Sequence, residues 1–110
     1  MRRMLILALI VAMTLPAAAC ETMVASWYGA ESGNRTADGP YFDGSQMIAA
    51  HRTIRFGTRL RVSYGGKSVI VTVRDRGPYV KGRSLDLSRA AAARIGLIRA
   101  GVGKVCVERL

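Results

Sequence analysis

The chain has 110 residues, 17 Lys+Arg against 7 Asp+Glu, a formal net charge of +10, one His and two Cys. That length leaves room for one small domain. A single His with no Cys pair at ligand spacing argues against a zinc site, no Gly-x-Ser-x-Gly elbow occurs, and both cysteines read as structural rather than as half of a Cys-His nucleophile pair.

Met1-Arg2-Arg3-Met4 precedes an apolar stretch at residues 5–15, and Pro16-Ala17-Ala18-Ala19 then leads to Cys20. A charged start, a short apolar centre and small residues before the cut describe a secretory signal peptide, and the stretch falls short of the roughly 20 residues of a spanning helix. Residues 1–19 are therefore expected to be removed, leaving residues 20–110 as one exported domain, periplasmic or secreted. Loss of Arg2 and Arg3 leaves 15 Lys+Arg against 7 Asp+Glu, a mature charge of +8. An exported cation meets anionic lipid, wall phosphates and muropeptide carboxylates rather than nucleic acid, although positive charge also serves solubility.

Cys20 and Cys106 sit at the two ends of the mature chain. In an oxidising compartment they are expected to form a disulfide. The alternative makes Cys20 a lipidated anchor to the outer membrane, but Ala17 stands where a lipobox usually has Leu, and Cys106 would be left unpaired.

Residues 23–28 read as a first strand ending at Gly29, followed at residues 31–44 by a polar, glycine-dotted loop long enough to suggest a function. Arg59–Tyr64 and residues 67–73 flank Gly65-Gly66 and predict a β-hairpin with a two-residue connection. In its second strand Val69, Val71 and Val73 share the face expected to line a barrel interior. A continued pleat puts Asp75 on that side too. Arg89-Ala90-Ala91-Ala92-Ala93-Arg94-Ile95 predicts a short helix with Ser88 as its N-cap and Gly96 at its end, and residues 103–110 a last strand with Val105 and Val107 on one face.

His51, Asp75 and Asp86 are the candidates for proton transfer. Burial beside valines raises a carboxyl's pKa, which suits Asp75 to an acid's task, whereas Arg74 and Arg76 favour its charged form and a turn role competes. Asp86 has the alternative of capping the helix with Ser88. Trp27, Tyr28, Tyr41 and Tyr79 lie beside glycines and turns, suited to stacking on sugar rings or equally to filling a core.

Ala25-Ser26-Trp27-Tyr28-Gly29, Arg35-Thr36-Ala37-Asp38-Gly39, Ala49-Ala50-His51-Arg52-Thr53, Phe56-Gly57-Thr58, Asp75-Arg76-Gly77-Pro78 and Gly82-Arg83-Ser84-Leu85-Asp86-Leu87-Ser88 follow one another in an order that resembles the RlpA-like (rare lipoprotein A) domains. The resemblance runs from about Ala25 to Leu110. It implies a mainly β fold, a six-stranded double-psi β-barrel with one short helix, related to expansins, with a glycan groove across one face. It also implies a lytic transglycosylase that cuts the bond between N-acetylmuramic acid and N-acetylglucosamine in peptidoglycan glycan strands. The product is a 1,6-anhydro end, and strands stripped of stem peptides are preferred. Carried over by motif, Asp75 is the acid, His51 its helper and Asp86 a second candidate. Trp27, Tyr28, Gly29, Thr36, Gly39, Tyr41, Arg76 and Tyr79 are the implied substrate contacts, and a monomer needing no cofactor is expected. Three positions depart from the family's habit: Pro40 where an acidic residue is common, Ile48 where Thr is frequent, and Arg74 where Asn often precedes the Asp. The alternatives are a wall-binding or wall-loosening module of expansin type that cuts nothing, and a secreted interaction or inhibitor protein on the same barrel.

Overall fold

In the computed structural model the described residues are 20–29, 35–39 and 41–110. The expected signal peptide and Pro40 lie outside them. The elements are β1 (Glu21–Tyr28), β2 (Ile48–His51), β3 (Arg59–Tyr64), β4 (Lys67–Asp75), β5 (Leu85–Ser88), α1 (Arg89–Arg94) and β6 (Val102–Arg109). They close into a barrel in the order β1-β5-β2-β4-β3-β6. β1 runs parallel to β5 and β2 parallel to β4, while the other neighbours are antiparallel.

Alternation builds the interior. Leu60 and Val62 of β3, Val69, Val71 and Val73 of β4, Leu85 and Leu87 of β5, and Val105 and Val107 of β6 are all buried in one cluster. Residues between them face outward. The hairpin turns at Gly65 and Gly66, with φ of 56° and 84°. Two successive positive φ values match the right-handed twist of the flanking strands and are cheap only for glycine. Ser88 caps α1 by accepting from the Ala91 N–H at 3.3 Å, and Ala91 and Ala92 press the helix onto the barrel.

Cys20 and Cys106 form the expected disulfide, with Cα atoms 5.5 Å apart. The bond pins the start of β1 to β6, to which β1 is already paired from Glu21↔Val107 to Ser26↔Val102.

One irregularity places the chemistry. In the β2–β4 ladder Ala49 pairs with Val73, but Ala50 pairs with Asp75, so Arg74 is an extra residue. Such a bulge reverses the alternation beyond it. Asp75 therefore leaves the valine side, where a regular pleat would have put it, and joins Ala50 on the outer face. Ala50 in turn pairs with Asp86, and Ser26 does so from β1.

Candidate active site

Tyr28, Ala50, Asp75, Arg76 and Asp86, with Arg35, Thr36 and Ala37 of the preceding loop, line a polar cleft of about 320 Å³. A larger hollow of about 480 Å³ lies elsewhere, beside Cys20, Glu21, Met23, Val107 and Arg109. The cleft holds two carboxyls and the hollow one, and chemistry rather than size distinguishes them.

Asp75 is held on both oxygens. Oδ1 accepts from the Ala37 N–H at 3.0 Å and from the Arg76 N–H at 2.9 Å, and Oδ2 accepts from the Tyr28 hydroxyl at 3.3 Å. The carboxyl's plane is thereby fixed. Among the described residues Oδ2 has one long contact, to a rotatable hydroxyl, and is the oxygen better placed to exchange a proton. Tyr28 packs its ring on Phe42, centroids 5.1 Å apart, and is buried. Burial, and next the charges of Asp75 and Asp86, push its hydroxyl far above the ordinary tyrosine range, so it remains a donor.

Asp86 does not cap the helix. Its Oδ1 accepts from the Ser26 hydroxyl at 2.9 Å inside the cleft. Burial raises its pKa, and the nearby Asp75 adds to this, against the lowering effect of Ser26 and Arg83.

His51 is placed differently from the role its motif implies. Its Nδ1 accepts from the N–H groups of Thr53 at 3.1 Å and Ile54 at 3.1 Å. With that lone pair occupied, the neutral ring carries its proton on Nε2. Burial lowers its pKa, followed by the charges of Arg52 and Arg109, so the ring resists taking a second proton. His51 is not among the residues lining the cleft. It shapes the loop that follows β2.

The implied sugar contacts divide. Tyr28 lines the cleft as a buried support, and Thr36 forms its wall. Trp27 lies on the other face of β1, packs against the core and donates from Nε1 to the Ile98 carbonyl at 3.3 Å, so the structure separates it from the cleft. Arg76 borders the cleft, but its guanidinium is committed. It stacks on Phe56 at 3.8 Å and donates to the carbonyls of His51 at 3.1 Å and Ile54 at 2.8 Å. Gly29 is buried at the end of β1. Gly39 turns the loop at φ 111°, its carbonyl bonded by Arg35. Tyr41 and Tyr79 are the exposed aromatics, 60% and 76% accessible, the first beside Thr36 and Arg74 and the second past the turn after Asp75.

Arg52 was not singled out by the sequence, yet one of its terminal nitrogens donates to the carbonyls of Pro78 at 2.7 Å and Arg83 at 2.8 Å. Its adjacency to His51 was the only signal. Among the described residues no three His, Cys, Asp or Glu side chains gather at metal-ligand spacing.

The family model described as lytic transglycolase matches residues 20–107. The chain is 48% identical over 88 residues to the probable endolytic peptidoglycan transglycosylase RlpA of Synechocystis, covering 77% of this chain and 27% of that protein. It is 54% identical over 81 residues to the protein of the same name from Aquifex aeolicus, covering 71% and 36%. The endolytic peptidoglycan transglycosylase RlpA of Vibrio cholerae is 43% identical over 91 residues, covering 80% and 35%. The chain thus spans only about a quarter to a third of these relatives. Among solved structures, the Streptomyces papain inhibitor is similar at a TM-score of 0.70 and 24% identity, covering 88% of this chain and 99% of that one. A Clavibacter michiganensis expansin is similar at 0.67 and 23%, covering 83% and 50%. At such identities the last two share the fold.

Proposed function

The chain belongs to the lytic transglycolase family, and from that premise we propose that it cleaves the glycan strands of peptidoglycan between N-acetylmuramic acid and N-acetylglucosamine, leaving 1,6-anhydro ends. The observation that carries this is the fixing of Asp75 in the cleft, with Oδ1 held by two backbone N–H groups and Oδ2, among the described residues, met by one hydroxyl.

Asp75 Oδ2–H gives its proton to the glycosidic oxygen as the C1–O bond breaks. Ala37 N–H, Arg76 N–H and the Tyr28 hydroxyl stabilise the carboxylate that remains. The 6-hydroxyl of the muramic residue then bonds to C1 and returns its proton to Oδ2. No water is consumed, and one carboxyl serves as acid and then base, unlike the separated pair of an inverting hydrolase. Asp86, held by Ser26 on the cleft wall, offers a hydrogen-bonding partner to a sugar hydroxyl beside the reacting bond. Tyr41 and Tyr79 offer aromatic faces to flanking sugars. His51 acts as a positioning residue through Thr53 and Ile54.

Residues 1–19 direct export, the domain begins at Cys20, and it works as a monomer in the periplasm or outside the cell. Strands without stem peptides are the preferred substrate, because the acid sits in a cleft bordered by a loop.

The test incubates the mature protein and its Asp75→Asn variant with peptide-free glycan strands and reads products by mass spectrometry. Anhydro-muramic ends from the first and none from the second are expected. Intact strands that co-sediment with both would replace cleavage with binding of the expansin type.

A further inference from the structure

We propose that the Arg74–Asp38 ion pair is a positioning device for Asp75, pinning residues 35–39 as a strap across the end of β4 so that the Ala37 amide meets the carboxylate. The inference rests on Asp75 being the reacting acid, and it assigns a task to a residue that departs from the family's habit.

The bulge is what permits it. In a regular strand neighbours point to opposite faces, so Arg74 and Asp75 would not serve the same segment. With Arg74 as the extra residue, both reach the strap. Arg74 Nε donates to Asp38 Oδ2 at 3.1 Å, and the Asp38 N–H donates to the Arg74 carbonyl at 3.3 Å. One residue back in the strap and one residue on in β4, the Ala37 N–H meets Asp75 Oδ1 at 3.0 Å. The strap is closed on itself by Arg35, whose terminal nitrogen donates to the Gly39 carbonyl at 3.0 Å, and by the Thr36 hydroxyl, which donates to Asp38 Oδ1. Thr36 lines both the cleft and a second hollow of about 200 Å³ with Tyr41, Gln46, Ile48 and Arg74. The strap therefore walls the cleft off from that hollow.

Arg74 thus spends its charge on Asp38. An exposed ion pair ordinarily contributes little to global stability. This one joins side chains 39% and 19% accessible beside a single backbone bond between the same two residues, so its effect falls on where Ala37 sits rather than on whether the barrel folds.

Asp38→Asn, Arg74→Gln and the double variant are compared with the parent by amide hydrogen exchange at Ala37, and by kcat and KM on peptide-free glycan. The inference expects Ala37 exchange about tenfold faster in each single variant, no further loss in the double because one network is removed once, and an unchanged melting temperature. kcat should fall about tenfold with KM held. Ala37 exchange equal to the parent's in either single variant, or losses that add in the double, overturns it. A parent that yields no anhydro ends removes the proposed activity, while the exchange rates still decide the strap.

Discussion

Arg52 and Arg76 each hold the loop in which the other stands. Arg76, just after β4, bonds the carbonyls of His51 at the end of β2 and of Ile54 beyond it, while Arg52, just after β2, bonds those of Pro78 and Arg83 after β4. Two parallel strands thereby have their exit loops cross-braced beside the cleft. Removing either guanidinium strands two carbonyls. Arg52→Ala and Arg76→Ala are each expected to cost about 1–3 kcal/mol in urea unfolding, with the double variant losing less than the sum because both braces tie the same two loops together. Arg76→Lys should recover little, since an ammonium does not stack flat on Phe56. Strictly additive losses would show the two braces to be independent.

His51 supplies an acceptor to two N–H groups, and an asparagine can place its Oδ1 near the same point. His51→Asn is expected to keep most of the stability that His51→Ala loses, about 1–2 kcal/mol. Activity follows the same order if the ring only positions its loop. Loss of cleavage in His51→Asn with stability intact would return the imidazole to the chemistry.

The pH dependence of that residue has a definite sign. A folded-state pKa lowered by burial and by Arg52, Arg109 and Arg76, against Glu21, means the unfolded chain binds the proton more readily. Its contribution is present above the unfolded value of about 6.5 and is lost as pH falls through the folded value. Melting temperatures from pH 7.5 downward should decline in the parent and decline less in His51→Asn. Equal slopes would show that His51 does not govern this limb.

Asp86 runs the other way. Its pKa is raised in the folded state, so its contribution is complete below the ordinary carboxylate value and is lost as pH rises through the folded value. At neutral pH Asp86→Asn, whose amide oxygen can still accept from Ser26, is expected to raise the melting temperature, and the gain should vanish toward pH 3. A loss at pH 7 would mean that the charged carboxylate is worth more than its burial costs.

Cys20 and Cys106 close 86 residues of chain. Loop-closure entropy for a ring of that size gives about 4.6 kcal/mol. Cys106→Ala is expected to lower stability by an amount of that order, matched by reduction of the parent with a thiol. A reduced parent as stable as the oxidised one would place the stapling in the β1–β6 ladder alone.

Elements with a local signature were legible in the sequence. The Gly65-Gly66 hairpin, the Ser88-capped helix and the valine face of β4 follow from turn chemistry, capping and alternation, each decided by a few adjacent residues. The cleft was legible only in part. Asp75 and Asp86 are both in it, but the parity that put Asp75 on the valine side failed at a bulge created by pairing with β2, which no run of β4 residues announces. Trp27 and Tyr28 are neighbours in sequence and one face apart in the barrel, so the same aromatic signal concealed opposite destinations. The roles of Arg52, Arg76 and Arg74 rest on carbonyls and carboxylates at least 22 residues away in sequence.

The β1–β6 pairing has a geometric consequence for anything attached to the domain. Residue 20 and residue 110 emerge beside one another, because Glu21 opposes Val107 near the end of β6. Tyr28 stands at the other end of β1, a span of roughly 23 Å at about 3.3 Å per residue. A bead, a fluorescent partner or any polypeptide fused at either terminus therefore hangs from the pole remote from Asp75, and the domain can be tethered by both ends at once with the cleft still pointing away from the support.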